Sequence, residues 1–452
     1  MFDLSFGRVW SGNRGRIFAV GFLLMATLPM SESLASALET YVREPDASFA
    51  WKRTKQRKIK GGTLTHLEFV SQSWRGRFWN HHLLVIRPTT LRQPDIAMLY
   101  ITGGSYNAPE ETEADRFHEV AQRAGAIVAI LNQVPNQPLY DGRQEDALVA
   151  FTFDQYLKTG DPTWPLLFPM VKSAVRAMDA LQSFASEEFD QRIERFVVSG
   201  ASKRGWTSWL TGAVDPRVVA IAPMAIDMLN MKAQLNWTEK MYGQQSDEIS
   251  DYTDLKLHQK LDDPPMQTLR GWVDPYSYRR SYTMPKLLLL GTNDPYWVVD
   301  SLRHYWGDLP EPKLVFQTPN AGHDLGGGDD AWQTLAAWFQ MIADRQPLPK
   351  VEWQLRDGAQ GAAGITVRVD QPATKVRLWT AHSADRDFRD EKWTSRELEI
   401  QSGSSQASAD VPKPAAGFTA FLAEVELTAP TGHSYKLSTQ VQVIPDQVNR
   451  WP

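Results

Sequence analysis

The sequence of 452 residues contains no cysteine. This absence excludes thiol proteases, zinc or iron–sulfur sites with thiolate ligands, disulfide frameworks and a lipidated N-terminal cysteine. No HExxH segment occurs among the nine histidines, and the adjacent His81 and His82 are interpreted as the two faces of a strand. We therefore predict no metal and no cofactor, and an active site that depends on oxygen and nitrogen side chains.

Long runs of positive charge are also missing. The chain has 48 Lys and Arg against 53 Asp and Glu, a formal net charge of -5. A nucleic-acid-binding surface needs clustered basic residues, so we exclude nucleic acid as a partner. With 42% hydrophobic and 22% charged residues the chain has the composition of a globular protein. Its length is sufficient for two domains.

The N-terminus has the pattern of an export signal. Three arginines lie among the first 16 residues, the mostly apolar segment 17–30 follows, and the small residues Ala35–Ala37 fit a cleavage site. Neither this segment nor any later one is long and apolar enough to span a bilayer comfortably, so we expect no membrane anchor after cleavage. We predict cleavage after Ala37, removal of residues 1–37, and a periplasmic or secreted protein. The alternative, a buried N-terminal helix, would have to accommodate the three arginines.

Residues 38–347 alternate between short apolar runs and helix-like segments. The runs are rich in Val, Ile and Leu and end in polar or glycine-containing turns, as strands buried on both faces of a parallel sheet do. Alternation of this kind predicts a doubly wound α/β domain. The predicted strands are 81–88, 96–104, 126–133, 195–200, 218–226, 286–294 and 313–319, and the predicted helices are 112–124, 166–186, 203–213 and 329–343.

Two segments, 132–165 and 227–280, are too long for ordinary connections between strands and helices. We interpret them as insertions that cover the carboxyl edge of the sheet, where open α/β sheets bind ligands. From about residue 350 the pattern changes to alternating polar and apolar residues with turns between the runs. Residues 350–452 are therefore predicted to form a small β-sandwich domain.

A serine at position 202 stands between a predicted strand and a predicted helix, in RFVVSGASKRGW. This is the context of a nucleophile elbow, in which small neighbours allow a strained turn. The spacing is G-x-S-x-x-G, with Arg204 where the usual G-x-S-x-G pattern has glycine. The alternative role of Ser202 is that of an ordinary helix N-cap.

An aspartate and a histidine stand at or after the ends of two later predicted strands, 286–294 and 313–319, in LLLLGTNDPYW and KLVFQTPNAGHDL. The order Ser202, Asp294, His323 is the order of the α/β-hydrolase triad. His323 can take the proton of Ser202, and Asp294 can hold the tautomer of the imidazole. We predict this triad, with Asp300 and Asp324 as alternative acids. A turn-forming aspartate and a core or surface histidine are the non-catalytic alternatives.

An acyl-transfer site also needs donors for the oxyanion. The backbone N–H groups of Ala201 and Lys203 are one predicted source. The second is the loop after strand 96–104, with Gly104 and Ser105, although a flexible Gly-Gly turn is the alternative.

Several further residues are candidates for substrate binding. Lys203 and Arg204 can attract a substrate carboxylate, or can be exposed cations at a helix start. Glu110 and Glu111 can attract a peptide amine, or can favour the start of the helix near residue 112. Trp297 can stack on a sugar, or can belong to the core like most of the 17 tryptophans.

The segments VSGASKRGWTSWLTGAVDPRVVAIAPMAIDMLNM, GTNDPYW, PNAGHDL and GHSYKLSTQVQV resemble the PhoPQ-activated pathogenicity-related protein family. The resemblance implies an α/β-hydrolase-like fold in an exported bacterial protein linked to virulence or antimicrobial-peptide resistance. Relatives of the fold include prolyl-oligopeptidase-type peptidases. The G-x-S-[K/R]-x-G pattern is also similar to that of glucuronoyl esterases, in which a basic residue after the serine helps hold the oxyanion. Lys203 has that position here.

Three functional hypotheses follow, because fold does not establish function. The first is a serine peptidase or amidase, the second a carbohydrate esterase of glucuronoyl-esterase type, and the third an inactive binding or signalling protein that kept the fold. We predict an α/β-hydrolase-like doubly wound sheet with cap insertions and a C-terminal β-sandwich. For function we favour an exported serine hydrolase, whose substrate is a peptide or a glycan ester.

Overall fold

The computed structural model describes residues 30–105, 112–358, 361–401 and 405–446. Nine strands and nine helices, apart from short 3-10 turns, precede residue 347 within these ranges. The strands are β1 (Ala50–Ile59), β2 (Gly62–Trp74), β3 (Arg77–Pro88), β4 (Ile96–Ile101), β5 (Ile127–Leu131), β6 (Arg195–Ala201), β7 (Val218–Met224), β8 (Lys286–Gly291) and β9 (Lys313–Thr318). The helices are α1 (Met30–Arg43), α2 (Thr112–Ala124), α3 (Glu145–Thr159), α4 (Leu167–Phe189), α5 (Lys203–Val214), α6 (Met231–Tyr242), α7 (Ser250–Asp254), α8 (Pro264–Val273) and α9 (Asp329–Ala343).

All nine strands form one mixed sheet, in the order β1-β2-β3-β5-β4-β6-β7-β8-β9. The six strands β4 to β9 are parallel to one another. Strands β1, β2 and β3 pair with one another in antiparallel fashion, and β3 also pairs antiparallel with β5. The predicted doubly wound α/β fold is confirmed. The prediction that strand 81–88 belongs to the parallel set is wrong, since it is the end of antiparallel β3.

The sequence did not predict β1, whose residues AWKRTKQRKI are mostly exposed. Because β1 is the edge of the sheet, its charged side chains face water and leave no apolar alternation to detect. Strand β2 was not predicted either, although most of its residues are buried. Strands β3 to β9 were detected because alternate residues enter two different cores. In β4, Leu99 packs with α4 and α5, whereas Met98 packs with α2 and α9 on the opposite face.

The two predicted insertions carry helices that cover one end of the parallel strands. The first contains α3, and the second contains α6, α7 and α8. Helix α3 buries side chains on several sides, including Leu148, Val149 and Phe153, so it lacks the one-sided apolar pattern of a surface helix.

Helix α1 contains the predicted cleavage point after Ala37. From Leu38, which is fully buried, the helix packs against α4 and α8, and Val42 lies in the same core. Cleavage after Ala37 stays a prediction. Within the described ranges, no helix is both long and apolar enough to cross a membrane.

Two antiparallel sheets follow residue 350, in agreement with the predicted β-sandwich. One has the order β10-β11-β14 and the other β13-β12-β15-β16, with β17 also paired to β15. Apolar residues of both sheets, such as Ile365 and Phe421, share a core that continues to Trp338 of α9. The strands are β10 (Val351–Asp357), β11 (Ala363–Val369), β12 (Ala373–Ser383), β13 (Thr394–Glu397), β14 (Gln406–Val411), β15 (Phe418–Thr428), β16 (Ser434–Ser438) and β17 (Gln442–Ile444).

Candidate active site

Ser202 occupies a strained turn between β6 and α5, with φ 56° and ψ -126°. Residues other than glycine rarely adopt these backbone angles, and those that do are often found in active sites. Two backbone hydrogen bonds hold the turn, from Ser202 N to the Met224 carbonyl at 2.9 Å and from Trp206 N to the Ser202 carbonyl at 3.0 Å. The local geometry is therefore that of a nucleophile elbow rather than of an ordinary N-cap, and no side-chain cap hydrogen bond is present.

Two glycines allow this turn to pack closely. A Cβ at Gly200 would lie 2.8 Å from the Ile101 carbonyl oxygen, and a Cβ at Gly205 would lie 2.9 Å from the carbonyl oxygens of Gly200 and Met224. Both distances are shorter than real Cβ contacts. The close approach occurs at position 205, which explains how Arg204 can replace the usual glycine.

His323 and Asp294 form a hydrogen-bonded pair at the same edge of the sheet. Asp294 follows β8 and His323 follows β9, and Nδ1 of His323 donates to Oδ2 of Asp294 over 2.8 Å. Asp294 is 5% exposed, and its Oδ1 accepts a hydrogen bond from Tyr296 N at 3.0 Å. A buried carboxylate with this bond fixes the tautomer and orientation of the imidazole.

The two alternative acids, Asp300 and Asp324, form their hydrogen bonds with residues other than His323 in the structure. Asp300 is buried and pairs with Arg386 at 2.8 Å, and it accepts a hydrogen bond from Trp237. Asp324 is exposed, and its Oδ1 accepts from Gly326 N. Of the three candidates, the structure brings Asp294 to the histidine.

The second ring nitrogen of His323 is available to a reacting group. Nε2 is buried and makes no hydrogen bond within the part of the chain that the structure describes. The ring of Tyr296 lies over the imidazole, with centroids 4.4 Å apart at 31°. Ser202 and His323 line the same cavity, so a substrate carbonyl bound there would meet both side chains.

This cavity has a volume of about 110 Å³, and both insertions contribute to its wall. Phe153 comes from the first insertion, whereas α6 and α8 of the second supply most of the rest. Apolar side chains form most of the surface, among them Phe153, Trp206, Met231, Leu235, Leu269 and Trp297. Trp297, a predicted binding residue, is therefore at the site.

Lys203 and Arg204 are both buried. The alternative prediction, that they are exposed cations at the start of a helix, is therefore wrong for both. Each is 8% exposed and is paired with an acid at the start of α3. Lys203 Nζ lies 2.6 Å from Asp146 Oδ2. Arg204 donates to both carboxylate oxygens of Glu145, at 2.5 and 2.7 Å, and to the Val134 carbonyl at 2.6 Å.

These pairs change the predicted role of Arg204. Its guanidinium packs so closely on the loop after β4 that a Cβ at Gly103 would lie 2.1 Å from it. Glu145 already neutralises the charge, so Arg204 joins the insertion to the elbow rather than presenting a free cation to a substrate carboxylate. Burial alone would raise the pKa of Glu145, but the hydrogen bonds and charge of Arg204, with Gln137 and Lys203, lower it to about 2.

The predicted oxyanion donors lie on neighbouring elements. Lys203 is the first residue of α5, where backbone N–H groups have no partner within the helix. Gly104, with φ 104°, and Ser105 follow β4, which is adjacent to β6 in the sheet. Ala201 pairs with Met224 in the β6–β7 ladder, so its backbone is part of the sheet. Glu110 and Glu111 lie outside the described residues.

Asp146, an acid that lines this cavity, was not predicted from the sequence, and neither were its tyrosine partners. Tyr252 donates to Asp146 Oδ1 at 2.9 Å, and Tyr296 donates to Asp146 Oδ2 at 3.4 Å. Asp146 thus joins Lys203, next to the serine, to the tyrosine that covers His323. These residues are up to 150 positions apart, so no local pattern signals the network.

A second missed acid is Asp227, which lines a small pocket together with Asp294. Burial raises the pKa of Asp227 to about 7, and the negative charges of Asp294 and Asp300 add to the effect, although the nearby hydroxyl of Tyr305 opposes it. Within the described ranges, no group of three or more His, Asp or Glu side chains is arranged to hold a metal ion.

Comparison with solved structures finds α/β-hydrolase esterases. Acetyl xylan esterase 1 from Thermoanaerobacterium sp. matches with a TM-score of 0.48 and 17% identity, over 70% of this chain and 94% of that one. A glucuronoyl esterase from Solibacter usitatus matches with a TM-score of 0.42 and 14% identity, over 70% and 93%. At such low identity these likenesses concern the fold.

Comparison of the sequence with known proteins identifies the family. Autocrine proliferation repressor protein A from Dictyostelium discoideum is 31% identical over 467 aligned positions, which cover 94% of each chain. Residues 38–389 match the model of the PhoPQ-activated pathogenicity-related protein family. The resemblance seen in the sequence is confirmed, and this chain belongs to the PhoPQ-activated pathogenicity-related protein family.

Proposed function

We propose that this protein is an exported serine hydrolase that cleaves carboxylic esters or amides, with Ser202 as nucleophile, His323 as base and Asp294 as the orienting acid. One observation carries the proposal. The strained Ser202 shares a cavity with His323, whose Nε2 is unbonded within the described residues and whose Nδ1 is bound to buried Asp294 at 2.8 Å.

The chemistry follows from these positions. His323 Nε2 removes the proton of Ser202 as Oγ attacks the substrate carbonyl, and the imidazolium is stabilised by Asp294. The tetrahedral oxyanion accepts hydrogen bonds from the N–H of Lys203 and from the loop containing Gly104 and Ser105. Proton return from His323 to the leaving alcohol or amine leaves an acyl-serine, which water then hydrolyses by the same steps.

The two cations next to the serine give no support to a glucuronoyl ester. A uronate carboxylate needs an uncompensated cation, but Lys203 and Arg204 are paired with Asp146 and Glu145. A peptidase or amidase and an esterase for uncharged acids use the same catalytic groups. The peptidase role and the link to virulence or antimicrobial-peptide resistance rest on family resemblance.

A fluorophosphonate probe tests the catalytic proposal directly. We expect the wild-type protein to be labelled and Ser202→Ala to be unlabelled, while both unfold at the same temperature. Ser208→Ala is a matched control on the same helix, since Ser208 is buried and bonded to the Arg204 carbonyl. Equal labelling of wild type and Ser202→Ala would refute Ser202 as nucleophile. Turnover of p-nitrophenyl acetate and of the corresponding anilide would then separate esterase from amidase.

The relative from Dictyostelium supports a second candidate, a secreted signal. Its name describes an autocrine repressor of proliferation, a role that hydrolysis is not required to explain. The same Ser202→Ala variant separates the two, because a pure signal keeps its biological effect without the nucleophile. Export is tested by N-terminal sequencing of the protein recovered outside the cytoplasm, where we expect Leu38 as the first residue.

A further inference from the structure

We infer that the cavity beside Ser202 binds an apolar acyl group, so that the preferred substrates are esters or amides of hydrophobic carboxylic acids. This inference rests on the proposed function and names the substrate class of the same site. Such substrates differ from the glycan ester and from the amine-bearing peptide that the sequence suggested.

The first support is the chemistry of the wall. Phe153, Trp206, Ile226, Leu235 and Leu269 come from α3, α5, the segment after β7, α6 and α8, and all of them face the space that Ser202 lines. Such a wall gains free energy from each methylene that leaves water, and it offers no compensation to a sugar hydroxyl.

The second support is that polar side chains at the wall are largely committed to the protein. Gln234 donates to the carbonyls of Leu229 and Ser301, and Thr238 donates to the carbonyl of Gln234. Asp146 is bound by Lys203 and Tyr252. Four polar atoms of lining residues besides His323 Nε2 have no partner within the described residues, namely Trp297 Nε1, His258 Nδ1, Gln245 Oε1 and Arg270 Nε. A pyranose with several hydroxyls needs more partners than these.

The third support is charge. The cation nearest to the serine in sequence, Lys203, is neutralised by Asp146 at 2.6 Å. A second cation, Arg270 of α8, lines the cavity as well, and its Nη2 donates to the Leu261 carbonyl at 2.9 Å. The part of the site next to the serine therefore favours an uncharged group over a carboxylate. Met228, Met231 and Met266 also line the cavity, and their flexible thioethers adapt to linear and branched chains.

A series of p-nitrophenyl esters measures this preference. Each methylene buried in an apolar wall is expected to raise kcat/KM about threefold to fourfold, so butyrate should exceed acetate by about tenfold and hexanoate should exceed butyrate. Equal or falling kcat/KM from acetate to hexanoate would overturn the inference. A glucuronoyl ester cleaved faster than the hexanoate would do the same.

A partly buried methionine in the wall provides the matched variants. Met231→Gln replaces a lining thioether by an amide of similar size, and we expect the ratio of kcat/KM for hexanoate to that for acetate to fall about tenfold. Met284→Gln makes the same change at a partly buried site outside the cavity, and the ratio should stay within about twofold. An equal fall in both variants would contradict the pocket.

A binding experiment separates failure of the pocket from failure of the enzyme. Calorimetry with hexanamide and acetamide on Ser202→Ala requires no turnover, and we expect hexanamide to bind at least about tenfold more tightly. If hexanamide has no advantage, the apolar pocket is refuted, whatever the activity. If hexanamide binds but the wild type is not labelled by the fluorophosphonate, the pocket stands and the proposed function fails.

Discussion

Asn320 and Trp393 exchange two hydrogen bonds across the boundary between the large sheet and the C-terminal sheets. Trp393 N donates to Asn320 Oδ1 at 2.8 Å, and Asn320 Nδ2 donates to the Trp393 carbonyl at 3.0 Å. Asn320 precedes His323 by three residues, whereas Trp393 lies between β12 and β13. The connection between these two strands therefore holds the loop that carries the histidine.

The same connection also holds the loop of the acid. Asn293, which precedes Asp294, donates from Nδ2 to three backbone carbonyls at 2.8 to 3.1 Å, those of Phe388, Arg389 and Glu391. Asn293→Asp keeps the shape but replaces the donor by an anion among carbonyl oxygens. We expect kcat on p-nitrophenyl acetate to fall at least about tenfold with a smaller change in KM, because Asp294 is displaced. Asn236→Asp, at an exposed site on α6, is the matched control.

Variants of the three triad residues should lose kcat by amounts that differ in a defined order. Loss of the nucleophile in Ser202→Ala or of the base in His323→Ala is expected to lower kcat on the order of a millionfold, and Asp294→Asn on the order of ten-thousandfold. Asp324→Asn, next to His323 but exposed, should stay within about twofold of wild type. Normal kcat in His323→Ala would refute the assignment, and a silent Asp294→Asn would reopen the search for the acid.

The strain at Ser202 predicts a stability difference between two inactive variants. Alanine keeps a Cβ at φ 56°, whereas glycine adopts this conformation without the steric cost. We expect Ser202→Gly to be more stable than Ser202→Ala by about 1 kcal/mol in urea unfolding, after allowance for the larger chain entropy of glycine. The opposite order would mean that the turn is unstrained.

Removal of Glu145 should destabilise the elbow in a pH-dependent way. Its pKa is lowered to about 2 in the folded protein, so its ionised form contributes stability above its ordinary value of 4.5, and that stability is lost as the pH falls towards 2. Glu145→Gln leaves the buried Arg204 without a counter-charge, and we expect a lower Tm at pH 7. The difference in Tm from wild type should shrink between pH 4.5 and pH 2. A difference that does not depend on pH would contradict this account.

Asp227 should have the opposite pH dependence. Because its pKa is raised from 3.8 to about 7, the unfolded chain ionises while the folded protein keeps the proton, and stability falls as the pH rises through this interval. Asp227→Asn cannot ionise. Its advantage in free energy of unfolding over wild type should therefore grow by on the order of 2 to 4 kcal/mol between pH 4 and pH 7. An advantage that is constant with pH would show that Asp227 is ionised in the fold.

Much of the framework could be predicted because buried parallel strands need uninterrupted apolar residues. The runs before Ser202, Asp294 and His323 have this property, and the structure has strands there that end within a few residues of the predicted positions. Strand β1 could not be found in this way, since the edge of the sheet faces water and is charged. Helix α3 escaped detection because it is buried on several sides.

By itself, the sequence determined the α/β class, the family and the order Ser202, Asp294, His323, because these depend on local runs, turns and motifs along the chain. Only the tertiary structure decided which acid meets the histidine, that Lys203 is neutralised by Asp146 and Arg204 by Glu145, and that the wall of the cavity is largely apolar. Each of these facts depends on side chains from elements far apart in sequence. Their distances are set by how the insertions fold over the sheet, and no spacing along the chain encodes them.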